Sequence, residues 1–163
     1  MIKFRDGFYT DVRTEDRSRT TISYKSGVLE EMKTCIERRA FLRVYDGKMW
    51  YYASVTDLTH LQKTLDELYD AAVPNGKILD DPIVRKFEIN NDEVLNFANC
   101  SVRNVPLQEK QTLLLSYLPL LSEDKCISIP EGRYLDRNSL FHFQSSLGAN
   151  ITYDYQTCGF VLS

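Results

Sequence analysis

The sequence predicts an α+β fold: an antiparallel, partly hairpin-built sheet with two main helices packed on it. Extended patterns fill the first third and the last quarter of the chain. Helical periodicity is confined to the middle, and strands do not alternate with helices as a parallel sheet requires. With 163 residues, no internal repeat and no low-complexity stretch, the chain reads as a single domain over 1–163. Such a chain buries roughly 70% of its unfolded surface.

The first strand signals are Phe8 to Glu15, which alternates loosely, and the short β-branched run Thr20 to Lys25. Ser26-Gly27 is a turn, after which Val28 to Glu37 resumes an extended pattern. Ala40 to Tyr45 and Met49 to Ala53 flank Asp46-Gly47. Asp-Gly between two such runs predicts a hairpin with a type I′ turn, which needs positive φ at both central residues. Thr59 and Gln62 have the spacing of a capping box. Leu58, Leu61, Leu65, Leu68, Tyr69 and Ala72 then recur on one face of a helix, which Val73-Pro74-Asn75-Gly76 ends.

Asp80-Asp81-Pro82 reads as a turn, Ile83 to Ile89 as a short extended piece and Asn90 to Glu93 as a polar loop. That loop lacks the spacing of a calcium site. A second helix begins near Pro106 and runs through Leu113, Leu114, Tyr117 and Leu118 to a kink or stop at Pro119. Cys126 to Ile129 reads as a strand closed by Pro130-Glu131-Gly132, and Tyr134 begins or flanks the next. Ser139 to Ser145 pairs across 147–150 with Ile151 to Leu162. The chain stops inside that strand pattern, so it is expected to be part of a longer protein.

Composition narrows the function. A net charge of −3 and a pI of about 5.4 give no electrostatic footprint for nucleic acid. The amino terminus has no apolar core of a signal peptide, and no apolar run is long enough to span a membrane. The protein is therefore expected in the cytoplasm, with no membrane partner. Cys35, Cys100, Cys126 and Cys158 lie far apart without a C-x-x-C pair, and are expected to be reduced and mostly buried.

The residues carry no complete catalytic or metal-binding set. Of the two histidines, His60 sits in a helix's first turn with no ligating partner at i+3 or i+4, and His142 lies inside a strand. No nucleophile elbow and no glycine-rich phosphate loop is present, and the adjacent carboxylates Glu30-Glu31 and Asp80-Asp81 cannot act as an acid/base couple. The catalytic and metal sites expected in this chain are none. One contact feature remains, the aromatic strand Trp50-Tyr51-Tyr52, a candidate interface or peptide-contact surface against the alternative that it fills the core under the first helix.

An ordered series of segments carries a family resemblance. Tyr9 to Arg13 is followed by Thr21-Ile22-Ser23-Tyr24-Lys25-Ser26-Gly27-Val28-Leu29-Glu30-Glu31, then by Leu42-Arg43-Val44-Tyr45-Asp46-Gly47-Lys48-Met49-Trp50, and then by Tyr52-Ala53-Ser54-Val55-Thr56-Asp57-Leu58. Ser145-Ser146-Leu147-Gly148 to Phe160 supplies a later hairpin. In this succession the chain resembles the amino-terminal domain of the TldD/PmbA family, also named modulators of DNA gyrase. It departs where that family favours glycine, at Arg39 and Tyr51, and in lacking a helix before the first strand.

The resemblance implies a non-catalytic domain of a peptidase-related protein that takes part in subunit assembly and in a peptide-accepting chamber. It implies a homo- or hetero-dimer with a TldD/PmbA-like subunit, and a peptide or unfolded polypeptide as the molecule handled. The family's zinc site lies in the carboxy-terminal half of its metal-bearing subunit, so no cofactor is expected in this chain. A free-standing interaction domain without a peptidase role is the alternative.

Overall fold

The structure is a computed structural model and describes residues 2–122 and 126–163. Six strands form one sheet: β1 Tyr9–Lys25, β2 Val28–Tyr45, β3 Trp50–Val55, β4 Asn91–Val94, β5 Glu131–Ser145 and β6 Asn150–Leu162. Their order across the sheet is β3-β2-β1-β5-β6-β4. The helices are α1 Leu61–Ala71, α2 Leu107–Tyr117 and the short α3 Pro119–Ser122. The α+β class holds, with a correction in detail, because β4 pairs parallel to β6, from Asn91 opposite Asn150 to Val94 opposite Tyr153.

The chain divides into two compact units. One comprises Met1–Asp16, Glu37–Leu95 and Leu140–Tyr153, and the other Arg17–Ile36, Asn96–Ser139 and Asp154–Ser163. Strands β1, β2, β5 and β6 contribute residues to both.

In the first unit the core lies between the sheet and α1. Phe8, Val12, Ala40, Leu42 and Val44 from the strands pack with Leu61, Leu65 and Tyr69 of the helix, whose apolar spacing puts these three on one face. The Tyr69 hydroxyl donates to Thr10 Oγ1 at 2.9 Å, so the helix is pinned by a polar contact as well as by area. The helix start corrects the expected capping box. A 3-10 turn, Leu58–His60, precedes α1, and its cap is Asp57, whose side chain accepts from Thr59 N at 3.0 Å. Gln62 is engaged elsewhere, accepting from Lys3 N at 2.9 Å and donating to Lys3 O at 3.1 Å. An aspartate one turn earlier was the better cap because its short side chain reaches the backbone N–H two residues on.

In the second unit Ile22, Tyr24 and Tyr134 pack with Leu114 of α2. Pro106 occupies the N-cap position of α2 and Pro119 opens the separate turn α3, so the expected break at Pro119 is present. Beneath α2 lies a buried ionic cluster. Lys110 Nζ is 2.6 Å from Asp136 Oδ2 and donates to Thr20 Oγ1 at 3.1 Å. Tyr134 OH donates to Asp136 Oδ2 at 2.9 Å and Thr20 N donates to Asp136 Oδ1 at 3.0 Å.

Further expectations are corrected. The strand pieces 8–15 and 20–25 are one strand, as are 28–37 and 40–45. The polar joint in β1 stays extended because its side chains are satisfied across strands; Glu15 is buried and accepts from Arg39 Nε at 2.6 Å. Residues 83–89 are not extended throughout: Val84–Lys86 form a 3-10 turn, led in by Asp81 Oδ1 accepting from Ile83 N at 2.8 Å. The polar loop 90–93 is largely strand β4, and the expected strand 126–129 is irregular, with β5 starting at Glu131 where a turn was expected. The cysteines are not mostly buried: Cys100, Cys126 and Cys158 are exposed and Cys35 is half-buried.

The hairpin between β2 and β3 spans Ala40 opposite Val55 to Tyr45 opposite Trp50. Its connection is a four-residue loop, not the type I′ turn expected of Asp46-Gly47. Gly47 alone in it has positive φ, +93°, and Asp46 Oδ1 accepts from the backbone N–H of Lys48 and of Met49, each at 2.8 Å. The two consecutive positive φ values that such a turn requires are at Ser26 (48°) and Gly27 (78°), between β1 and β2.

Candidate functional site

The face of the first unit's sheet opposite α1 concentrates its aromatic and charged side chains. Strand alternation sends Tyr9, Asp11, Arg13 and Glu15 of β1 to this face, with Arg39, Phe41, Arg43 and Tyr45 of β2 and Trp50 and Tyr52 of β3. At its centre Asp11 is buried, and Arg43 holds it through a forked contact, with Arg43 Nε 2.9 Å from Oδ1 and 3.0 Å from Oδ2. The same guanidinium lies 5.0 Å from the centre of the Trp50 ring. Hydrogen bonding to Asp11 raises the Arg43 pKa, so this group stays cationic.

Trp50 anchors an aromatic cluster. It stacks on Tyr45 at 4.7 Å and meets the edges of Tyr9 at 5.9 Å and Phe87 at 6.3 Å. Tyr9 in turn stacks on Phe87 at 4.4 Å. Ile78 and Val84 complete this second core cluster, which covers one end of the face. Burial, then the neighbouring Asp11 carboxylate, pushes the Tyr9 hydroxyl far above its usual range and keeps it neutral. Away from that end the face is open. Tyr52 is 55% exposed and Phe41 41%, and the two rings stack at 5.9 Å. Arg13 caps the Phe143 ring at 6.0 Å.

The structure therefore separates the three aromatic residues singled out in the sequence. Trp50 and Tyr52 share the open face, stacked at 6.3 Å. Tyr51 points the other way, packs against the core under α1 and donates its hydroxyl to Asp46 Oδ2 at 3.2 Å. Sequence reading missed the partners Asp11, Arg43, Phe41, Tyr45 and Phe87. The signal was there for four of them, since Tyr9-x-Asp11-x-Arg13-x-Glu15 and Arg39-x-Phe41-x-Arg43-x-Tyr45 are period-two patterns of rings and charges.

His60 Nδ1 lies 2.8 Å from Asp57 Oδ2 on the surface, and His142 Nε2 lies 2.7 Å from Asn150 Oδ1. Among the described residues no group of three or more His, Cys, Asp or Glu could hold a metal ion. No helix among them is long and apolar enough to cross a membrane. The open face can do what aromatic rings and fixed guanidinium groups do: stack, accept apolar side chains and pair with carboxylates.

Residues 10–73, which carry β1 to β3 and α1, match the family model of PmbA/TldA metallopeptidase domain 1. The TldD/PmbA resemblance is borne out. Solved structures agree in fold. The chain superposes on a "putative modulator of a DNA gyrase" from Thermotoga maritima with a TM-score of 0.69 at 14% identity, covering 96% of this chain. A "putative modulator of DNA gyrase" from Bacteroides thetaiotaomicron gives 0.67 at 14% identity over 94%, and TldE from Thermococcus kodakarensis gives 0.63 at 10% identity over 94%. The chain spans 35% of each of these three proteins. No curated protein matches the sequence. The TldD/PmbA first-domain match ends at residue 73, so β4, α2, β5 and β6 rest on the likeness of fold.

Proposed function

We propose that this chain is a non-catalytic amino-terminal domain of a TldD/PmbA-like, peptidase-related protein. It contributes to subunit assembly and walls a chamber that accepts peptides or unfolded polypeptides. The observation that carries this reading is the open sheet face, where Phe41, Tyr52 and Trp50 lie beside the Arg43–Asp11 pair. Such a surface offers apolar area to passing side chains at little entropic cost and a fixed cation to their backbone or carboxylates. The match of residues 10–73 to a metallopeptidase first domain supports the peptidase context.

Trp50 is the chain's single tryptophan, so its emission reports on this face directly. Titration with a tryptophan-free, permanently unfolded polypeptide is expected to shift or quench Trp50 emission in a saturable way. Phe41→Ala with Tyr52→Ala is expected to weaken that binding at least tenfold. Unchanged emission together with unchanged anisotropy of the labelled polypeptide up to millimolar concentration would sink the peptide-contact reading.

A further inference from the structure

The two edges of the sheet are built differently. At one end β4 is four residues, Asn-Asp-Glu-Val, all exposed and two of them acidic. Short length and charge are how natural sheets guard an edge against pairing. At the other end β3 reads Trp50-Tyr51-Tyr52-Ala53-Ser54-Val55, with no charge and no proline. Its register with β2 runs unbroken from Ala40–Val55 to Tyr45–Trp50, so no bulge turns the edge away. A straight, uncharged, aromatic edge is a template for strand addition.

The charges beside this edge say what fits it. Lys48 lies two residues before the strand and Asp57 two residues after it, and both are exposed. An incoming strand running antiparallel with the same bracket meets opposite charges at both ends, and only a second β3 carries that bracket by construction. Symmetry selects the register. A two-fold axis normal to the sheet pairs residues of like parity, so Tyr52 faces its own copy, Trp50 meets Ser54, and Asp57 falls opposite Gly47 beside Lys48. The stack of exposed Phe41 and Tyr52 on half-buried Trp50 then continues across the axis.

We propose that β3 is the docking edge for a second copy of this chain, paired antiparallel about Tyr52, with Lys48 of each copy beside Asp57 of the other. This rests on the assembly part of the function proposed above and names its surface. A six-residue edge with its flanking rings is smaller than an obligate interface, so the dimer is expected to be reversible.

Sedimentation velocity of the full chain from about 1 μM to 1 mM tests it. The expected result is a concentration-dependent dimer whose Kd rises at least tenfold with Tyr52→Lys, which sets two ammonium groups side by side on the axis. Lys48→Asp is expected to weaken the dimer similarly, and adding Asp57→Lys to it to restore most of the loss. Should the Asp57 change disturb the turn it caps, Tyr52→Cys gives an independent reading: mild oxidation should link the two introduced thiols, located by peptide mapping. A dimer unaffected by these substitutions, or a link formed elsewhere only, overturns the β3 surface and leaves assembly standing. A chain monomeric throughout overturns the self-pairing of β3.

Discussion

Asp11 and Arg43 face each other across β1 and β2 with the carboxylate buried and the guanidinium partly exposed. Removing one partner of such a pair leaves the other desolvated and alone. Arg43→Met is therefore expected to cost about 3 kcal/mol in urea unfolding, and Arg43→Lys less, because an ammonium keeps the charge but not the fork. The cluster around Lys110 and Asp136 follows the same rule with both groups buried. Lys110→Met should destabilise by about 3–5 kcal/mol, whereas Tyr134→Phe, which removes one donor and leaves the ion pair intact, should cost about 1 kcal/mol.

Asp46 gives a pH signature. Burial pushes its pKa up, but the backbone N–H groups of Met49 and Lys48 and the Tyr51 hydroxyl outweigh that, and the net direction is down. A carboxylate with a depressed folded pKa stabilises above its unfolded value and loses that contribution as pH falls through the folded one. Stability is thus expected to decline below about pH 4, and Asp46→Asn to flatten that limb of a pH–melting curve. At this scale the sequence was legible in part where chemistry is local, since Asp46-Gly47 marked the β2–β3 connection but not its four-residue form, and opaque where chemistry is not local. Nothing near Asp11 or Asp136 in sequence announces Arg43 or Lys110 as its partner.

Turns and helices give their own tests. Gly47 has positive φ, and a Cβ there would meet the Asn75 side-chain amide. Gly47→Ala is therefore expected to lower stability by about 1–3 kcal/mol, read by thermal or urea unfolding. Gly132 sits under Leu118, whose side chain leaves no room for a Cβ. Gly132→Ala should cost about 1–3 kcal/mol through overpacking, and Leu118→Ala in the same chain should recover part of it.

Elements were readable from sequence in proportion to how local their signals are. Helix α1 showed itself through the spacing of Leu61, Leu65 and Tyr69, and α2 through its flanking prolines. Strand β4 was hidden because its four side chains are all exposed, so no burial period marks it, and its parallel partner begins at Asn150. Strand β1 looked like two pieces because Asp16-Arg17-Ser18-Arg19 is polar, yet Ser18 and Thr20 are buried and Glu15 is held by Arg39. A polar stretch in a long strand reads as a break unless the cross-strand partners are known.

For the whole chain, three exposed thiols and one half-buried one set an accessibility pattern. A thiol-exchange reagent is expected to modify Cys100, Cys126 and Cys158 rapidly and Cys35 slowly, a distinction that mass mapping of labelled peptides resolves. Equal rates for all four would show that the second unit opens readily on the timescale of labelling.

The strand order also constrains how the molecule can be made. β1 lies between β2, which follows it immediately, and β5, which begins more than a hundred residues later. A ribosome adding roughly 5–20 residues per second leaves β1 without that second neighbour for several seconds after its first hairpin can close. During that interval the sheet's middle strand is a temporary margin. The charges along β1, from Asp11 to Arg19, are then solvated and discourage intermolecular pairing until β5 arrives. The polarity that disguised this strand in the sequence thus acts as a guard during synthesis and as a set of ionic fasteners afterwards.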